Sequence, residues 1–151
     1  MSYTSRTIDA DPESVWRIVV DPTTYPQWLI GAQAVVKVDP AWPRPGSKFF
    51  HRVGVGPFTV SDSTVVEEVE PGQRLRLAVR ARPFISAIAT FELVSDGTRT
   101  VVSIEEEPRW RLIGELVRPM LDPSTHVRNH RSLRRLEDVV CRSAGLAAAP
   151  H

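Results

Sequence analysis

Arg74-Leu75-Arg76-Leu77-Ala78-Val79-Arg80 alternates residue by residue. Successive side chains of a strand point to opposite faces. Leu75, Leu77 and Val79 therefore share one face, and Arg74, Arg76 and Arg80 share the other. One face is apolar and the other is wet, as in an antiparallel sheet covered on one side. Working outward, Pro71-Gly72 makes the turn before this strand. Phe84 to Val94 and Thr98 to Glu106 read as the next two strands, joined at the hairpin signal Asp96-Gly97. Upstream, Ala34 to Val38, Lys48 to Val55 and Phe58 to Val69 read as three more. Pro40, Pro43, Pro45 and Gly46 make the loop between the first two of these, and Gly54-Val55-Gly56-Pro57 a tight turn between the next. Consecutive hairpins of this kind build one strongly twisted sheet.

The ends of the chain read differently. Ser2 to Asp9 is a short Thr/Ser-rich strand. Asp11 then suits a helix N-cap, Pro12 the first helical position and Glu13 the positive helix end. Val15, Trp16, Val19 and Val20 follow at helical spacing until Asp21-Pro22. A second short helical turn runs through Thr24-Tyr25-Pro26-Gln27-Trp28 and breaks at Gly31. After Pro108, Trp110 to Leu121 has a helical pattern that Pro119 interrupts, and Asp122-Pro123-Ser124-Thr125 suits a new helix start. Asn129, Leu133, Leu136 and Val140 then recur at spacings of four, three and four. This predicts an amphipathic helix of about five turns, ended by Gly145, with residues 144–151 as a flexible tail. It is the element long enough to cover the apolar face of the sheet.

The chain has 151 residues, which suits one domain and a real core, since roughly 70% of the unfolded surface is buried at this size. Basic and acidic residues number 19 and 18, so no whole-molecule field draws nucleic acid or anionic lipid. A solvated face is the reading given to the arginines of residues 74–80 and 128–142. One cysteine, Cys141, permits no internal disulfide and reads as a partly buried small residue. There is no apolar core of signal-peptide type at the start of the chain, and no apolar run approaches the ~20 residues of a membrane helix. The expected location is the cytoplasm, without integral membrane association.

The ordered set of motifs resembles the START-like (SRPBCC) superfamily. Asp11-Pro12-Glu13-Ser14-Val15-Trp16 and Thr24-Tyr25-Pro26-Gln27-Trp28 resemble its opening. Pro45-Gly46, Glu70-Pro71-Gly72-Gln73-Arg74-Leu75 and Asp96-Gly97-Thr98-Arg99 resemble its middle and last hairpin. Residues 128–136, Arg-Asn-His-Arg-Ser-Leu-Arg-Arg-Leu, resemble its closing helix. The match is closest to the polyketide cyclase/dehydrase-like branch and covers nearly the whole chain, with residues 1–143 as the domain. The resemblance implies an α+β helix-grip fold: a seven-stranded curved antiparallel sheet around a long C-terminal helix, with two short helices after the first strand. It also implies a cavity between sheet and helix for a hydrophobic small molecule such as a lipid, quinone or polyketide, no cofactor, and a monomer or homodimer. It does not by itself imply a reaction.

No P-loop, Rossmann glycine fingerprint, Gly-x-Ser-x-Gly elbow or His-Glu-x-x-His is present. Candidate residues come instead from face assignments. If Val102 and Ile104 face inward, so does Glu106, as an acid or base or as the partner of an arginine such as Arg52 or Arg82; the run Glu105-Glu106-Glu107 also reads as a solvated strand end. His51 shares the parity of Phe49 and Val53 and is a second proton-transfer candidate or a satisfied core histidine. Asn129 lies on the covered helix stripe with Leu133, where a polar group needs partners, either a ligand carbonyl or strand backbone. Trp28, Phe84 and Trp110 flank loops and are candidates for stacking on a ligand. Trp16 reads as structural. His126 and His130 have metal-ligand spacing but no third ligand, so no metal is expected and His126 is placed at the cavity or its mouth. Three functions follow: a binder of a hydrophobic small molecule, a polyketide cyclase or aromatase using Glu106 and His51, or a protein-interaction module with a filled interior and an exposed apolar patch.

Overall fold

The computed structural model describes residues 2–55, 57–81, 85–109 and 113–148. Seven strands form one sheet: β1 (Ser2–Ile8), β2 (Ala32–Val38), β3 (Lys48–Val55), β4 (Phe58–Glu70), β5 (Arg74–Ala81), β6 (Ile85–Asp96) and β7 (Arg99–Pro108). Two short helices, α1 (Pro12–Val19) and α2 (Tyr25–Trp28), follow β1, and a long helix, α3 (Ile113–Ala148), ends the chain. The strand order is β1-β7-β6-β5-β4-β3-β2, and every neighbouring pair is antiparallel. β2 to β7 form a meander, and β1 joins its far edge beside β7. This is the α+β helix-grip arrangement expected from the sequence.

Local chemistry explains the turns and caps. Asp11 caps α1 by accepting a hydrogen bond from the Ser14 backbone N–H at 3.2 Å, with Pro12 in the first turn. Between β4 and β5, Gln73 N–H donates to Glu70 C=O at 2.9 Å and Gly72 has φ 78°. Pro71-Gly72 thus forms a type II turn, in which glycine supplies the positive φ. The β6–β7 hairpin pairs Asp96 with Arg99, and Gly97 has φ 67°. Its loop is Gly97-Thr98 with glycine first, the pattern of a II′ turn.

The apolar faces meet as the alternation predicts. Leu75 and Leu77 of β5, Phe91 and Leu93 of β6, and Val102 and Ile104 of β7 are buried in one core. Register places Leu75 beside Phe91 and Leu77 beside Ala89. On α3, Leu133, Leu136, Val139 and Val140 close over them. The outward face is charged but locally neutralised: Arg76 donates to Glu67 at 3.0 Å, and Arg74 lies 3.8 Å from both Glu68 and Glu92.

Three boundaries differ from the sequence reading. α3 is one helix of 36 residues, about 54 Å at 1.5 Å per residue, and not a short helix followed by a five-turn one. Pro119 and Pro123 lie inside it, and it passes Gly145 to reach Ala148. Each proline removes one backbone hydrogen bond and crowds the carbonyl four residues before it, yet its fixed φ is compatible with a helix and the helix continues through both. β4 carries a bulge between Val66 and Glu68, so Thr64, Val66 and Val69 all reach the core side despite the odd spacing. Cys141 is exposed, not partly buried, because it follows the buried pair Val139-Val140 onto the outer side of α3.

Candidate functional site

The inner face carries polar groups at two places. The first is where α3 crosses β7 and β1. Glu106 continues the inward parity of Thr100, Val102 and Ile104, and its Oε2 accepts a short hydrogen bond from Arg128 Nη2 on α3. The Glu106 side chain is 20% exposed and that of Arg128 36%. Arg128 is the partner, in place of the arginines considered from sequence: Arg52 is exposed on β3, and Arg82 lies outside the described residues. Arg128 Nε also approaches Asn129 Oδ1 at 3.4 Å. Asn129 is 1% exposed, and its Nδ2 has no hydrogen-bond partner among the described residues. A buried amide left unpaired costs about 1–3 kcal/mol. Alongside, Thr4 Oγ1 and His126 Nδ1 are 3.2 Å apart, with His126 exposed. His130 is exposed as well, and no metal-ligating cluster occurs among the described residues.

The second place is the inner face of β3 and β4. His51 is 3% exposed. Its register partner is Asp62, and its Nε2 lies 2.9 Å from Thr64 Oγ1. Its Nδ1 has no hydrogen-bond partner among the described residues. Phe49 packs beside it, with ring centroids 5.4 Å apart. Burial lowers the His51 pKa below the ordinary 6.5, against smaller opposing effects of the Ser63 backbone and the Asp62 charge. Burial thus favours the neutral form of the imidazole.

The remaining sequence candidates are placed as follows. Trp28 is fully buried in the core, edge-on to Tyr25 and Phe91, with its Nε1 donating to Thr24 Oγ1 at 3.0 Å. Leu133 is fully buried on α3 one turn from Asn129. Phe84 and Trp110 lie outside the described residues. Sequence reasoning missed Arg128 as the partner of Glu106, and it missed Ser132. Ser132 is fully buried, and its Oγ accepts the Ile30 backbone N–H at 3.0 Å, tying the end of α2 to α3. It also missed Arg6, which donates to Glu137 at 2.9 Å from the inward side of β1. Both signals were present as polar residues at core-facing positions.

A seven-stranded antiparallel sheet closed on a C-terminal helix, with polar groups set into its apolar inner face, defines a helix-grip protein. The chain belongs to the family described as polyketide cyclase / dehydrase and lipid transport, whose model matches residues 2–140. No curated protein matches it in sequence. Among solved structures it is similar to protein CV1439 from Chromobacterium violaceum, at 22% identity over 91% of this chain and 94% of that one, with a TM-score of 0.69. It is similar to protein NE0264 from Nitrosomonas europaea at 19% identity, 95% coverage of both chains and a TM-score of 0.72. The Zhui aromatase/cyclase from Streptomyces sp. R1128 is 13% identical over 94% of this chain and 93% of that one, with a TM-score of 0.72. At these identities the structural likeness is one of fold. Among the described residues no helix is long and apolar enough to cross a membrane.

Proposed function

We propose that this protein binds a hydrophobic small molecule between the inner face of the sheet and α3, with Asn129 orienting the ligand. The observation that carries this reading is the Asn129 side chain, buried on the apolar stripe of α3 with its Nδ2 unpartnered among the described residues. Native structures seldom leave such a group unpaired without a reason, and a ligand carbonyl or hydroxyl would satisfy it. Leu133, Leu77, Val102 and Ile104 would supply apolar wall, and His51 and Thr64 a second polar contact. Trp28 and His126 are assigned to the wall or mouth of the same site, and Phe84 and Trp110, outside the described residues, are kept as candidates for contact with the ligand. Family membership supports a lipid or polyketide-like ligand, and a quinone is a further candidate of the same apolar character. The reading takes the protein as cytoplasmic, a monomer or homodimer, acting without nucleic acid.

Native mass spectrometry on freshly purified protein, with extraction of whatever is bound, tests this directly. A recurring hydrophobic adduct that is depleted in Asn129→Ala is the expected result. A clean apo mass, with no thermal shift across lipids, quinones and aromatic polyketides, would overturn it.

A second reading, cyclisation of a poly-β-keto chain, is favoured by the inward placement of both Glu106 and His51. A neutral buried imidazole is suited to accept a proton during aldol closure. Under this reading Glu106→Gln and His51→Gln lose turnover at least 100-fold while the ligand adduct remains. Retained turnover in both variants would remove the two residues from any chemistry.

A further inference from the structure

A groove of about 650 Å³ lies where the end of α1 meets the β2–β3 loop. It is formed by the end of α1 and the turn after it, the β2–β3 loop and the β4–β5 turn. Among the described residues, α3, β1, β6 and β7 contribute nothing to its lining, which sets it apart from the site around Asn129 and Glu106. Its size suits a drug-sized ligand.

The lining is mostly apolar, with two indoles and three charged groups. Trp16 and Trp42 are half-buried. Trp42 is held in place: its Nε1 donates to the Val20 carbonyl at 2.7 Å, and its ring meets Phe49 edge-on at 5.1 Å. Proline walls, Pro43 and Pro71 among them, present rigid apolar surface and no backbone N–H donor. Asp21 and Asp39 also line the groove. Each fixes a turn through its Oδ1, Asp21 on Thr23 N–H at 3.0 Å and Asp39 on Ala41 N–H at 3.0 Å. Among the described residues no hydrogen bond engages the Oδ2 of either, so each has acceptor capacity left over. Against these two negative charges the lining offers one positive charge, the exposed Arg44.

We propose that this groove binds an apolar organic cation, an amine or quaternary ammonium carried on a hydrophobic body. The indole faces attract a cation electrostatically, the two free carboxylate oxygens complement its charge, and the apolar lining takes its body. The turns that aim both aspartates are built before the ligand arrives, so little order is lost on binding.

The test is a titration of 15N-labelled protein with benzyltrimethylammonium, benzoate and benzyl alcohol in parallel, followed by the indole N–H signals of Trp16 and Trp42. The expected result is saturable movement of both signals with the cation, at least tenfold tighter than with the acid or the alcohol. Asp21→Asn and Asp39→Asn keep an acceptor for their turns and should each weaken the cation about fivefold while leaving the fold intact. Asn129→Ala should leave the titration unchanged. Equal binding of all three probes would make the groove a generic apolar cleft, preference for benzoate would make Arg44 its determinant, and unmoved indole signals would mean no site. Each of these overturns the proposal without bearing on the interior site.

Discussion

Asn129 is a polar residue where the packing asks for an apolar one, and its unpartnered amide makes a signed prediction. Asn129→Leu removes the buried donor and keeps the branched shape, so the ligand-free protein should gain about 1–3 kcal/mol, read as a raised urea midpoint with unchanged slope. The same variant should retain less hydrophobic adduct. A loss of stability would mean that the Asn129 side chain is fully satisfied and structural. His51 makes a prediction in pH. Its pKa is lowered in the folded state, so the unfolded chain binds the extra proton first as pH falls. Its contribution to stability is complete above the ordinary value of 6.5 and is lost as pH drops below it toward the lowered folded value. The wild-type protein should therefore lose stability between pH 7.5 and 5.5, and His51→Gln should lose less over the same interval. Parallel curves for the two would contradict the burial argument. Parity along the strand made His51 and Glu106 legible as inward-facing. What they touch was not legible, because Thr64 reaches His51 from a neighbouring strand and Arg128 reaches Glu106 from a helix.

At the scale of the element, α3 divides into buried and solvated sides within single turns. Leu133→Ala should cost about 2–5 kcal/mol, whereas Arg134→Ala, one residue on and exposed, should stay within about 0.5 kcal/mol. Paired chemical melts check the contrast, and similar costs would mean that the assigned face is wrong. The four-three-four spacing of Asn129, Leu133, Leu136 and Val140 was enough to find this face in the sequence. The length of the helix was not legible, since Pro119 and Pro123 are local stop signals and continuation is decided by the neighbouring turns. The β4 bulge had a trace in the sequence, Val65-Val66 followed by Glu67-Glu68, which breaks strict alternation. Its effect is visible only in the register with β5, where Glu68 faces Arg76 and Val69 faces Leu75.

For the whole molecule, turn chemistry and the switch from period two to period 3.6 specify a meander closed by a terminal helix. They do not specify which side chains meet across it, because the inner face is assembled from strands and a helix far apart in the chain. Thr4 and His126 meet across 122 positions, and Arg6 and Glu137 across 131. The central claim is that this assembled face holds a hydrophobic ligand against Asn129. The most direct test is to follow the Asn129 side-chain amide by 15N NMR while the compound extracted from the native protein is returned to stripped protein. The account predicts saturable movement of the Asn129 Nδ2 signal together with the methyl signals of Leu133 and Leu77. An Asn129 signal unmoved at saturation, or movement confined to the indoles of Trp16 and Trp42, would contradict it.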